Sequence, residues 1–215
     1  MRPSTACTYR RPTSCPTPTS RPSSRRIRRG VSSPSDGRPD ATPLPVIVSG
    51  DRVLAHLARA NDHWRRITPR SPGLLVVADA DAYVSPGWYP SKQEHGRVVP
   101  TWNYSEVQLR GSVTVHDDPD WVLDVVTRLT ERHETPRAQP WAVTDAPPAY
   151  VRGQLRAIVG VELVIDGAAA VEGKAKLSQN RSDADRRGVI AGMRAEGDAT
   201  AYRVADEMER ALDAD

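Results

Sequence analysis

The sequence predicts an α+β fold built on an antiparallel sheet or barrel. Residues 106–116 alternate between apolar and polar side chains, which is typical of a strand with one buried face. A well-signalled helix follows, because Asp118 and Pro119 are residue types preferred at a helix N-terminus. Short strand-like segments lie before and after this central helix, and two helical segments end the chain. Together these three observations indicate an α+β architecture.

Apolar runs and turn residues locate the other elements. Residues 46–48 and 52–57 are predicted strands joined by a Ser-Gly-Asp turn, 58–67 tolerates a helix, and 74–80 is a buried strand. After the central helix we expect a short helix at 149–156 and extended segments at 158–166 and 171–177. Ser182 and Asp198 are predicted N-caps of the two final helices, and Gly197 closes the first of them.

Composition limits the class of protein. The 215 residues are 38% hydrophobic and 27% charged, which permits one domain with a real core. No apolar run approaches the roughly 20 residues of a membrane helix, and no apolar segment follows the basic N-terminus, so we expect a soluble protein without a secretory signal. The cytoplasm is the expected compartment. Cys7 and Cys15 both lie near the N-terminus, which excludes a disulfide framework or Cys-based zinc site elsewhere.

Residues 1–36 differ sharply from the rest. They are rich in Ser, Thr, Pro and Arg, with eight arginines and one acidic residue. Residues 37–215 then hold 22 basic and 26 acidic residues, a net charge of −4, so a globally basic surface for nucleic acid is not expected. We predict a disordered segment at 1–36 and a folded domain at 37–215. The segment fits a basic arm that contacts phosphates or an acidic partner, a targeting peptide, or a stretch outside the true reading frame.

The stretch Tyr83 to Tyr104 is the strongest candidate for a binding site. It combines two tryptophans and three tyrosines with Lys92, His95 and Arg97. Prolines and glycines interrupt it, so it cannot be one helix or a central strand. Aromatic rings beside cations suit a flat anionic ligand, and the alternative is an irregular aromatic minicore under a loop.

The sequence lacks the common motifs of catalytic and metal sites. It contains no P-loop, no GxSxG and no GxGxxG, and its five histidines lack the spacing of metal ligands. We therefore predict no catalytic residue and no metal site.

Four blocks in consistent order resemble a known family: ATPLPV (41–46), HLARAND (56–62), YVSPGWYPSK with GRVVPTWNY (83–104), and KLSQNRSDADR (176–186). They are similar to the signature blocks of the PaiB-like FMN-binding proteins, usually described as FMN-binding negative transcriptional regulators. The resemblance runs from about residue 36 to the C-terminus.

The resemblance implies a split β-barrel of the antiparallel, FMN-binding type, with a central helix and C-terminal helices. Such proteins are normally homodimers that hold FMN near the subunit interface. For the FMN phosphate, matching positions with suitable side chains are Arg59, Asn61, Ser91 and Lys92. For the isoalloxazine ring they are Trp88, Trp102 and Asn103, with Thr101 and Gln179 as further hydrogen-bonding candidates.

Each of these residues also has a structural interpretation. Trp64, Trp88 and Trp102 suit the core or a dimer interface, Asn61 suits a helix cap, and Lys92 suits a solvated surface.

The chain departs from the family at its start. The resemblance implies a start made of a short Pro-containing opening, a helix and a first barrel strand, a space that the Arg/Ser/Pro/Thr segment fills here. If that strand is lost, one edge of the barrel is left unpaired and the barrel is destabilised.

Three functions remain open: a flavin-linked regulator, an FMN-dependent oxidoreductase or flavin reductase, and a flavin-free structural relative. No helix-turn-helix with a basic recognition helix is visible. DNA binding is therefore implied only by the family, with residues 1–36 as its electrostatic candidate.

Overall fold

A computed structural model gives the fold and describes residues 30–32, as backbone, and 40–214. These residues group into two compact units, where the sequence predicts one domain over 37–215. The unit called here the barrel unit comprises the described residues up to 77 together with 108–172. The other, the helical unit, comprises 78–107 and 173–214.

Eight strands and six helices are assigned within the described residues. The strands are β1 (Gly30–Ser32), β2 (Asp40–Thr42), β3 (Ile47–Ser49), β4 (Arg52–Ala58), β5 (Ser71–Val84), β6 (Thr101–His116), β7 (Ile158–Ile165) and β8 (Val171–Lys176). The helices are α1 (His63–Arg66), α2 (Ser91–His95), α3 (Pro119–Glu134), α4 (Pro148–Leu155), α5 (Asp183–Glu196) and α6 (Ala199–Leu212). Single 3-10 turns lie at Pro86–Trp88, Val143–Asp145 and Ala168–Ala170.

The strands form one sheet in the order β2-β1-β5-β6-β7-β4-β3, with β8 paired to β6. In the barrel unit, β4 runs antiparallel to β7, with Arg52 opposite Val164 and Ala58 opposite Ile158. The other edge of β7 pairs antiparallel with β6 over Gly111–His116. The antiparallel sheet predicted from the alternation at 106–116 is thereby confirmed.

The barrel unit buries both faces of β4. On one face, Val53, Ala55 and Leu57 line an interior cavity of about 60 Å³, which is shared with side chains from β5, β6 and β7. On the other face, Leu54 packs against Ile47 and against Val125 and Leu129 of α3. Because successive strand residues point to opposite faces, interior and helix-covered positions alternate. This arrangement confirms the α+β split-barrel fold.

Helix α3 begins where the sequence predicts. The Asp118 side chain accepts a hydrogen bond from the Asp120 backbone N–H at 2.9 Å, and Pro119 is the first helical residue. Its buried residues are Val122, Val125 and Leu129. The cap satisfies one of the backbone donors that every helix start leaves without an intrahelical partner.

The helical unit has its own core, in which Tyr89, Met193 and Met208 are almost completely buried. The predicted caps of its last two helices are confirmed. The Ser182 hydroxyl accepts from the Asp185 N–H at 3.2 Å, and the Asp198 carboxylate accepts from two N–H groups of α6. Gly197 ends α5 with φ +75°, a conformation that favours glycine.

Of the predicted disordered segment 1–36, the structure describes three residues. These form β1, which pairs with β2 and with β5, where Val31 lies opposite Leu74. The rest of the segment lies outside the described residues, so the predictions of disorder, of a reading-frame change and of a lost first strand stay predictions. Within 30–32 and 40–214, every helix is too short or too polar to cross a membrane.

Candidate functional site

The helical unit carries an exposed aromatic surface, the aromatic face, formed by Tyr83, Trp102, Tyr104 and Lys174. Trp102 is 52% exposed and Tyr83 is 45% exposed, and their rings meet edge to face with centroids 6.1 Å apart. Trp102 and Tyr104 are two residues apart on β6, so their side chains leave the same side of the strand. The Lys174 ammonium lies 5.3 Å from the centroid of the Tyr104 ring. Flat rings and a cation are thus presented to solvent.

A hydrogen-bonded pair of polar side chains lies next to this face. The Lys176 Nζ donates a hydrogen bond to the Thr101 hydroxyl at 2.6 Å, and Thr101 directly precedes Trp102 on β6. Lys92 is exposed on α2 in the same unit. An ammonium and a hydroxyl are groups that bind phosphate or carbonyl oxygens. Of the predicted site residues, Thr101 therefore contacts a lysine that the prediction omits, one position before Trp102 on β6.

Trp88, a predicted ring contact, lies in the helical unit, and its predicted contact with FMN stays a prediction. It packs against α5 as part of the core of the helical unit. A Cβ on Gly192 would lie 2.4 Å from the Trp88 ring, and one on Gly188 would lie 2.2 Å from the Trp88 carbonyl oxygen. Two glycines on α5 therefore leave the space that this tryptophan occupies, which matches the structural alternative.

Ser91 already has a protein partner. Its hydroxyl donates to the Asp185 carboxylate at 2.8 Å, and its backbone N–H donates to the same carboxylate at 3.1 Å. Asp185 is only 4% exposed. The buried carboxylate satisfies the first N–H of α2 and fixes the start of this short helix on α5.

Asn103 and Gln179 also bond within the protein. Asn103 is completely buried; its amide donates to the Ser178 hydroxyl at 3.0 Å and lies 3.2 Å from the Met208 sulfur. Gln179 bonds its own turn, accepting from the Leu177 N–H and donating to the Ala175 carbonyl, each at 2.8 Å. Both side chains hold the KLSQN segment in place, and their predicted contacts with FMN stay predictions.

Arg59 lies in the barrel unit and is firmly held. Its guanidinium forms a two-pronged ion pair with Asp117 and donates to the carbonyls of Arg156 and Ile158 at 3.0 and 3.3 Å. Hydrogen bonding within this pair raises the pKa of Arg59 and lowers the pKa of Asp117. The Arg59 guanidinium carbon also lies 5.6 Å from the centroid of the Trp64 ring, whose N–H donates to the Arg59 carbonyl.

Asn61 of the HLARAND block forms a small polar cluster with Thr42 of the ATPLPV block and with His63. Its amide donates to the Thr42 hydroxyl at 3.2 Å, and its carbonyl accepts from the backbone N–H of His63 at 3.0 Å. The Thr42 hydroxyl also bonds the His63 ring at 2.9 Å. Two separate sequence blocks thus meet here, and Thr42 and His63 are polar neighbours that the site prediction leaves out.

Comparisons with known proteins identify the family of this chain. Residues 30–167 match the family model described as "Putative FMN-binding domain". This chain belongs to that family. The resemblance to PaiB-like proteins is confirmed, and FMN is the cofactor that membership of the FMN-binding domain family assigns.

Two relatives illustrate the range of similarity. The chain is similar to the protein named Protease synthase and sporulation protein PAI 2 of Bacillus subtilis, at 28% identity over 180 residues, covering 82% of this chain and 83% of that protein. It is 38% identical over 125 residues to an uncharacterized protein of Aspergillus fumigatus, covering 51% of this chain and 47% of that protein. Among solved structures, a FAD and heme binding protein from Mycobacterium smegmatis gives a TM-score of 0.49 at 21% identity, over 76% of this chain and 71% of that chain.

The side chains of the aromatic face and of the adjacent Lys176–Thr101 pair fit FMN. Trp102 and Tyr83 offer apolar ring surface for a planar heterocycle, and Lys176 and Thr101 offer donors for oxygen atoms. The sequence does contain a signal for the omitted lysine, since Lys176 opens the KLSQNR block. In the structure β6 already begins at Thr101, so Trp102 and Tyr104 belong to this strand and lie on one of its faces.

Proposed function

We propose that this FMN-binding domain of the PaiB type is a flavin-linked negative transcriptional regulator rather than an FMN-dependent oxidoreductase. The observation that carries the proposal is the composition of the aromatic face. Its rings and the Lys174 ammonium, together with the adjacent Lys176–Thr101 pair, are groups suited to binding a ligand. All five histidines are described, and none belongs to this face. The relative from Bacillus subtilis is named for protease synthesis and sporulation, which supports a regulatory role.

In this proposal the chain's own residues hold and orient the flavin. Trp102 and Tyr83 cover the isoalloxazine ring and exclude water from it, while Lys176 and Thr101 bind oxygen atoms. Bound FMN supplies a redox-active ring. Asn103 and Ser91 keep the surrounding backbone in place through the buried bonds described above. FMN occupancy is then the signal that the regulator reads.

The first test is titration of the purified full chain with FMN, followed by quenching of flavin fluorescence. We expect Trp102→Ala to weaken FMN binding about 5- to 10-fold, as loss of one aromatic contact worth about 1 kcal/mol implies. Trp141→Ala is the matched control, because Trp141 is 48% exposed but lies in the barrel unit. Equal FMN affinity of the Trp102→Ala variant and the native chain would contradict a flavin contact at the aromatic face.

The second test addresses regulation. Gel-shift assays would use a DNA fragment from upstream of the protein's own gene, with and without FMN. We expect FMN to change the binding of the full chain, and replacement of Arg25, Arg26, Arg28 and Arg29 by glutamine to abolish it, since residues 37–215 are net acidic. Steady NAD(P)H oxidation by the FMN-loaded protein, without any FMN-dependent shift, would favour the oxidoreductase instead. A chain that binds no FMN would point to a flavin-free relative.

A further inference from the structure

A cavity of about 340 Å³ lies in the barrel unit, among the ends of β4, β6 and α4 and the starts of α3 and β7. Its volume falls within the range of small-molecule sites. Four charged residues line it: Arg59, Arg152, Arg156 and Asp117. Three guanidinium groups against one carboxylate leave an excess of positive charge.

Two of the arginines have no carboxylate partner among the described residues. Arg152 and Arg156 lie four residues apart at the end of α4, so they occupy the same side of the helix. Like charges at this spacing destabilise a helix by a few tenths of a kcal/mol. In the part of the chain that the structure describes, neither forms an ion pair. An anion between them would remove this repulsion.

The third arginine is fixed in advance. Arg59 is held by Asp117, by two backbone carbonyls and by the ring of Trp64. Its side chain is 34% exposed, so one side of the group remains open. A guanidinium that is already immobilised loses little entropy when a ligand binds beside it.

The remaining lining is apolar. Pro119 and Val122 come from α3, Leu155 from α4, and Ile158 from β7. Charged groups beside an apolar wall select a ligand that has both kinds of surface. Free phosphate or sulfate would leave this wall without a contact.

We propose that this cavity binds a small organic anion, a molecule with one carboxylate or phosphate head and an apolar body. Arg152 and Arg156 bind the head, the Arg59–Asp117 pair forms a rigid side of the cavity, and Val122, Leu155 and Ile158 contact the body. The site is separate from the aromatic face and does not depend on FMN.

The test uses the full chain and isothermal titration with benzoate, phenyl phosphate and, as a neutral match, benzyl alcohol. We expect the two anions to bind at least tenfold more tightly than the alcohol. Arg152→Gln and Arg156→Gln should each weaken anion binding about 5- to 10-fold. Arg187→Gln, which alters an exposed arginine on α5, should leave it unchanged. Thermal melts would verify that all three variants fold.

Several results would overturn the proposal. One is equal affinity for benzoate and benzyl alcohol; another is equal loss of binding in the Arg187→Gln control. Displacement of benzoate by one equivalent of FMN, with weaker FMN binding in Arg152→Gln, would show that the cavity belongs to the flavin. Retained benzoate binding in an FMN-saturated protein would support a separate site.

Discussion

At the scale of single residues, the side chains of the signature blocks divide into two groups, those that bond to buried partners and those that remain exposed. Asn103 and Ser91 bond to buried partners, whereas Trp102 and Lys92 remain exposed. A buried amide without a hydrogen bond is costly, so the bond to Ser178 contributes to the stability of the fold itself. The residue type alone does not separate a ligand contact from a core contact.

Asn103→Ala should therefore destabilise the protein in the absence of FMN, by about 2–4 kcal/mol. The physical reason is a cavity beside Met208 and a buried Ser178 hydroxyl that loses its partner. Urea unfolding of the flavin-free protein measures this loss. Trp102→Ala, which removes an exposed side chain from the next position, should change the free energy of unfolding far less. If Asn103→Ala were as stable as the native chain, Asn103 would not stabilise the fold, and only its predicted role as a ligand contact would remain.

We expect the free energy of unfolding to depend on pH because His56 is partly buried. Burial lowers the pKa of His56, and among residues 40–214 its Nδ1 has no hydrogen-bond partner. The unfolded state then binds a proton at a higher pH than the folded state, so stability is present above the unfolded pKa of about 6.5 and falls below it. We expect the native chain to lose more stability between pH 8 and pH 5.5 than His56→Gln, which cannot titrate. Parallel losses in the two proteins, measured by urea unfolding, would refute this.

At the scale of elements, local signals placed the helices better than the strands. Asp118, Ser182 and Asp198 cap the helices that the sequence assigns to them. In contrast, β5 begins at Ser71, three residues before the predicted strand 74–80, and β6 begins at Thr101, five residues before its predicted start. Gly73 lies in the first part of β5, where this strand pairs with β1. Caps bond neighbouring residues, whereas strand ends depend on partners far along the chain.

The packing of Trp88 against α5 gives a prediction at the scale of elements. Gly192→Ala should destabilise the protein by about 1–3 kcal/mol, because the new methyl group would overlap the Trp88 ring. Gly153→Ala on α4 is the matched control, since a Cβ there meets nothing within 4 Å. That change should stabilise by up to about 1 kcal/mol through helix propensity. Thermal melts of both variants decide; a stabilised Gly192→Ala would contradict the packing.

At the scale of the whole molecule, the exposed aromatic face bears on assembly. A monomer rarely leaves neighbouring large aromatic side chains in water without a partner or ligand. Tyr83 and Trp102 are both about half exposed. We propose that a second copy of this chain covers the part of the aromatic face that the flavin leaves exposed, which makes the protein a homodimer.

Sedimentation equilibrium should then give twice the chain mass of 23.6 kDa. Tyr83→Asp should shift the protein toward the monomer, because a carboxylate buried at an interface without a partner is unfavourable. Tyr202→Asp is the control, since Tyr202 is 42% exposed on α6. A native chain that sediments at the monomer mass at all accessible concentrations would rule out the dimer.

The sequence by itself determined the helix caps and the fold class, because these depend on residue types at short spacing. It also determined the family, and with it the FMN cofactor, through the resemblance of its four signature blocks. Only the tertiary structure decided which side chains remain open to a ligand. Asn103 meets Ser178 across 75 positions of the chain, and Ser91 meets Asp185 across 94. Partners so distant leave no local pattern, and their bonds form only when β6, α2 and α5 pack together.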